Sequence, residues 1–117
     1  LQVAMSKQNL TEESAPAAVV DVVREVGANI TTARLRRRMT LEALAAKAGI
    51  AKETAARVEA GRVTTAIGAY TAVLWALGLH HRLGDVGAPE ADHEGATLAA
   101  ARLGQRARPA KVLSDDF

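Results

Sequence analysis

The chain is 117 residues long, one domain's worth, with 49% hydrophobic and 3% aromatic residues, no cysteine and a formal net charge of +2. The lack of cysteine excludes a disulfide scaffold, a thiolate metal site and a thiol nucleophile, and no run of about 18 apolar residues is present to span a membrane. Phe117, Tyr70 and Trp75 are the only aromatics while alanine makes up about a fifth of the chain, a composition suited to short, closely packed helices and not to a sheet.

No basic-then-apolar signal segment opens the chain, so an all-α protein in the cytoplasm is expected. Residues 1–4 precede Met5 and are set aside as an expression scar; residues 1–18 as a whole read as a flexible lead-in. From Val19 an apolar stripe runs through Val22, Val23, Val26, Ile30 and Ala33 at the 3/4 spacing of a helix. Gly27 interrupts it at a propensity cost of about 1 kcal/mol, and Arg36, Arg37 and Arg38 close it with charges that suit a helix C-terminus.

Thr40 is a suitable N-cap for a second helix whose inner face is Leu41, Leu44, Ala45 and Ala48 and which Gly49 ends. A third helix follows from about 51 to 60, with Ala51, Ala55 and Val58 inside and Gly61 as its stop. Thr64 or Thr65 is expected to cap a fourth, carrying Ile67, Tyr70, Val73, Leu74 and Leu77 and ended by Gly78. Beyond Leu79 the pattern loosens, with at most one short helix before Pro89. Asp92 is a candidate cap for a last helix reaching about Leu103. The expected division is therefore a domain over 19–103 followed by a tail over 104–117.

The segment 40–61, TLEALAAKAGIAKETAARVEAG, holds two short helices, a small residue where they cross (Ala45), a glycine turn and two apolar plugs (Ile50, Val58). With its flanks over about 26–79 it resembles the Xre family of lambda- and 434-repressor-like proteins. Ile30, Arg34, Thr40, Leu44-Ala45, Gly49, Val58-Glu59 and Gly61 all stand at that family's spacings. The resemblance implies a five-helix, helix-turn-helix DNA-binding domain with its third helix in the major groove. It assigns base contacts to Lys52, Glu53, Ala56 and Arg57, since lysine donates to guanine and glutamate accepts from cytosine. Phosphate contacts fall to Arg36, Arg37, Arg38, Thr40, Thr54, Arg62, Thr64 and Thr65. Arg34 and Glu59 become a structural ion pair. The chain departs from the family at Leu41, where glutamine often touches phosphate, and at Ala51, where serine often caps the recognition helix.

Trp75 is expected in the core or at a dimer seam. His80 and His81 are adjacent and so point to different sides, and cysteine is absent, so no metal or cofactor is expected from them or from His93, and no nucleophile–base constellation suggests an enzyme. The C-terminal third resembles HipB-like antitoxins, Xre-type repressors that pair with HipA-like kinase toxins. This implies a homodimer on operator DNA with an inverted repeat, with Trp75, Leu79, Leu98 and Leu103 as interface candidates. In the tail, Arg106, Arg108, Lys111 and Phe117 are candidates for contact with the toxin or with DNA. Two alternatives stand: a phage- or operon-type repressor with no toxin, and an interaction module with weakened DNA binding. The charge is unevenly spread, with nine basic against five acidic residues over 21–79 and a slight acidic excess on either side.

Overall fold

The structure is a computed structural model that describes residues 9–107, with side chains up to Gln105. Among these residues the only regular structure is helical. The α-helices are α1 (Ala17–Arg36), α2 (Leu41–Ala48), α3 (Lys52–Glu59), α4 (Ile67–Ala76) and α5 (His93–Ala107), with 3-10 turns at His80–Asp85 and Pro89–Ala91. Where the sequence suggests one domain over 19–103, the chain divides into two compact units, the first ending at Leu83 and the second beginning at Gly84.

In the first unit α2 and α3 pack on each other and on α4, and α1 lies against α3. Ile30, Leu44, Val58 and Val73 are the largest fully buried side chains, joined by Ala33, Tyr70, Ala76 and Leu77. Each large side chain contributes about 1.5–3 kcal/mol on burial, and Ala45 and Ala55 let the helices close on them.

The start of α2 follows its sequence signals. Thr40 caps it, its hydroxyl accepting from the Ala43 N–H at 3.0 Å. Gly49 ends it with φ 76°, the left-handed turn that lets the Ile50 N–H return to the Ala45 carbonyl. Ala51 stands at the N-cap of α3 and supplies no side-chain hydrogen bond. Ala51 is exposed there, not on the inner face where the apolar spacing puts it.

Other expectations need correction. Val22 is 58% exposed and Val19 also faces out. The buried face of α1 is confined to Gly27, Ile30 and Ala33, the last two as the stripe predicts, because the 20-residue helix outreaches the eight-residue α3 it packs on. Ile67 is 70% exposed. The N-cap of α4 is Ala66, without a side-chain bond, so neither Thr64 nor Thr65 caps it. Within the described residues, part of the lead-in forms a closed turn. The Ser14 hydroxyl accepts from the Thr11 N–H at 2.8 Å, and the Thr11 hydroxyl from the Ser14 N–H at 3.0 Å.

Gly27 is the main revision. It is buried, and a Cβ built on it would lie 2.6 Å from the Glu59 carbonyl oxygen and 2.7 Å from both the Val58 carbonyl oxygen and the Gly61 nitrogen. Gly61, at φ 68°, faces the backbone of Val23 and Arg24 as closely. The two glycines let α1 touch the end of α3 backbone to backbone.

Arg38 holds φ 54° without being glycine, in the turn between α1 and α2. The left-handed conformation costs a side-chain-bearing residue about 1–2 kcal/mol, partly offset by the smaller unfolded-state entropy it has relative to glycine. Arg38→Gly should therefore raise stability by about 0.5–1 kcal/mol. A denaturant midpoint at or below wild type would show that the arginine makes a compensating contact.

In the second unit α5 packs against the Pro89–Ala91 turn. As expected, Asp92 caps it, accepting from the Gly95 N–H at 2.9 Å. The helix runs four residues beyond Leu103. Arg108, Lys111 and Phe117 lie outside the described residues, as does the side chain of Arg106.

Candidate nucleic-acid interface

The two faces of α3 differ completely. Ala55 and Val58 are fully buried, whereas Lys52, Glu53, Ala56 and Arg57 are exposed together, at offsets of one, four and five residues along one helix surface. Thr54 sits half-buried at the border. The inner face is fixed by polar bonds as well as by packing. Arg34 Nε donates to Glu59 Oε2 at 2.6 Å and Arg34 Nη2 to Glu59 Oε1 at 3.1 Å, a bidentate pair whose side chains are only 14% and 11% exposed. Arg34 Nη1 also donates to the Met39 carbonyl, and the Thr31 hydroxyl donates to Glu59 Oε1. The Glu59 hydrogen bond holds the Arg34 pKa above its ordinary value, against the opposing effect of burial. The orientation of the exposed face is thereby locked to α1.

Lys52 Nζ lies 3.2 Å from Glu42 Oε2, an exposed pair that holds the lysine loosely at the start of α3. Among the described residues no ion pair joins Glu53 to Arg57, which leaves both free on the surface. Arg36, Arg37 and Arg38 are exposed at the end of α1. Arg37 Nη1 donates to the Ala33 carbonyl at 2.9 Å, so part of its guanidinium satisfies its own helix terminus. Thr40 is exposed and, with its oxygen accepting from Ala43, keeps its hydroxyl proton available.

Beyond α3, Arg62 and Thr64 are exposed but Thr65 is not available as expected. Its hydroxyl oxygen is buried without a hydrogen-bond partner. It lines an apolar groove of about 240 Å³ with Val23, Val26, Val63, Ile67 and Tyr70. The loop is held from below by the Tyr70 hydroxyl, which donates to the Arg62 carbonyl at 2.7 Å. Burial raises the Tyr70 pKa, and the nearby Glu12 charge adds to that while Arg62 opposes it.

Glu12 is the residue that sequence reasoning missed. From the lead-in its Oε2 accepts the Val63 N–H at 2.7 Å and faces Arg62 Nε at 3.4 Å. The reciprocal Thr11/Ser14 spacing was the available sign that this segment forms a turn.

Trp75 is 56% exposed, which removes it from the core, and Leu79 and Leu98 are exposed too, with Leu103 half-buried. Among the described residues no helix is long and apolar enough to cross a membrane, and no group of three or more His, Asp or Glu side chains is placed to hold a metal. No protein-family model matches the chain, and no curated protein or solved structure matches it either.

Proposed function

We propose that this chain is a sequence-specific DNA-binding repressor of the Xre type, with α2 and α3 as its helix-turn-helix and α3 as the element read into the major groove. The carrying observation is the pairing on α3 of a surface that presents Lys52, Glu53, Ala56 and Arg57 with an opposite face locked by the Arg34–Glu59 pair. A reading helix needs adaptable donors and acceptors on a rigid mount. The positive excess over residues 21–79 is where phosphates would require it. Exposed Arg36, Arg38, Arg62 and Thr40 at neighbouring loops supply backbone contacts in this reading.

Within that class, the HipB-like resemblance makes the protein an antitoxin that represses its own operon as a homodimer and binds a HipA-like kinase toxin. Exposed Trp75 and Leu79, four residues apart, are the first unit's dimer candidates. Leu98 and Leu103 are those of the second unit. One observation favours a second reading, a protein-interaction module with weak DNA affinity. Ala51, at the N-cap of α3, and half-buried Leu41, at the start of α2, offer phosphates no polar side chain.

A mobility-shift titration on duplex from the chain's own promoter, at rising salt, tests the reading. A complex that weakens with salt is expected, and its absence at low salt leaves the interaction module. Lys52→Ala should lower operator affinity by about 1–3 kcal/mol with unchanged thermal stability. Unchanged affinity would take Lys52 out of the interface. Co-purification with the product of the adjacent gene separates an antitoxin from a stand-alone repressor.

A further inference from the structure

The loop after α3 contains a formed anion position, and it is occupied. The Val63 N–H and the Arg62 guanidinium converge on one oxygen, at 2.7 and 3.4 Å, and that oxygen belongs to Glu12. A backbone N–H beside a guanidinium is the donor set that binds phosphate oxygens. The loop is held for the purpose on its other side by the Tyr70 hydroxyl on the Arg62 carbonyl. The occupant is attached by a small lever. Residues 11–15 form a turn closed by the Thr11 and Ser14 hydroxyls and by the Ala15 N–H on the Thr11 carbonyl. The Glu12 side chain is only 20% exposed, while Arg62 remains 51% exposed, so a phosphate can reach the guanidinium and compete for it.

We infer that the Arg62–Val63 position is a site for a DNA backbone phosphate and that Glu12 is an internal competitor filling it in the free protein. The inference rests on the DNA-binding reading above. The carboxylate and a phosphate cannot share the Val63 N–H, and two anions there repel each other. The phosphate must therefore displace Glu12, and the Thr11–Ala15 turn moves with it. The strap then costs affinity for any duplex, whatever its sequence, because the contact it blocks is to the backbone and not to bases. It also spares the free protein an unsatisfied Val63 N–H and an unpaired Arg62.

Glu12→Gln separates charge from structure, since its amide oxygen still accepts from Val63. The experiment measures affinity of the full chain for two 30-bp duplexes, one from its own upstream DNA and one unrelated, over a salt series. Glu12→Gln is expected to tighten both by about 3–10-fold and to steepen the salt dependence by about one phosphate's worth. Adding Arg62→Gln should cancel the gain. Unchanged affinity and slope would overturn the strap and leave the DNA-binding reading standing. A gain that survives Arg62→Gln would overturn it as well, as a general charge effect. Failure of wild type and variant alike to bind either duplex overturns both. Binding by the variant where wild type shows none supports the strap outright.

Discussion

Gly27→Ala is expected to destabilise the first unit by about 2–3 kcal/mol, although it replaces the second-worst helix former with the best. Helix propensity alone gives a gain of about 1 kcal/mol. The new methyl would sit 2.6–2.7 Å from three backbone atoms of the α3 terminus, none of which can rotate away as a side chain does. Relief requires α1 to lift off α3, and overpacking of this kind costs about 1–3 kcal/mol and sometimes more. Gly68→Ala is the matched control. Gly68 is also helical, and a Cβ there meets nothing within 4 Å. It should stabilise by about 0.5 kcal/mol, less than the mid-helix value because it lies in the first turn. Urea denaturation of the two variants decides the matter by sign. If both are stabilised, the close approach of α1 and α3 is wrong.

Removing one member of the Arg34–Glu59 pair should cost about 3 kcal/mol, the low end for buried pairs, because some exposure remains on both side chains. Arg34→Ala leaves the Glu59 carboxylate with the Thr31 hydroxyl alone and frees the Met39 carbonyl as well. Glu59→Ala leaves a guanidinium still bonded to Met39. Arg34→Met combined with Glu59→Leu should lose less than Arg34→Met or Glu59→Leu made alone, since no charge is then stranded. A strictly additive double-mutant cycle would mean that the two side chains do not act as a pair. Arg34→Lys should recover only part of the loss, because a lysine cannot make both bonds at once.

These two sites mark what was legible in the sequence and what was not. The ends of α2 followed from Thr40 and Gly49, and the cap of α5 from Asp92, because capping acts over three or four residues and is written locally. The Arg34–Glu59 pair came from the resemblance, since charge spacing by itself does not bring distant helices together. Propensity misjudges Gly27 because it describes a helix in isolation, whereas this glycine answers to backbone on another element. Val22 and Ile67 were assigned inward from periodicity, which gives an apolar stripe but not how much of it the partner helices can cover. The sequence offers a threonine as the start of α4 and so gives Thr65 a surface contact. With Ala66 at the cap instead, its hydroxyl is left inside. Glu12 escaped notice because a polar lead-in carries no period, and its partners come fifty residues later in the chain.

The brevity of α2 and α3, eight residues each, bears on how this molecule can be switched off. Helices shorter than about 12–15 residues are marginal in water on their own, so neither survives once its neighbours come away, α1 and α4 for α3, and α3 and α4 for α2. The proposed reading surface thus has no half-working form. Heat, denaturant or a protease that captures an opened α1 is expected to abolish DNA binding and the first unit's helical signal at the same midpoint. Under the proposed function, turnover of the chain would itself release the operator.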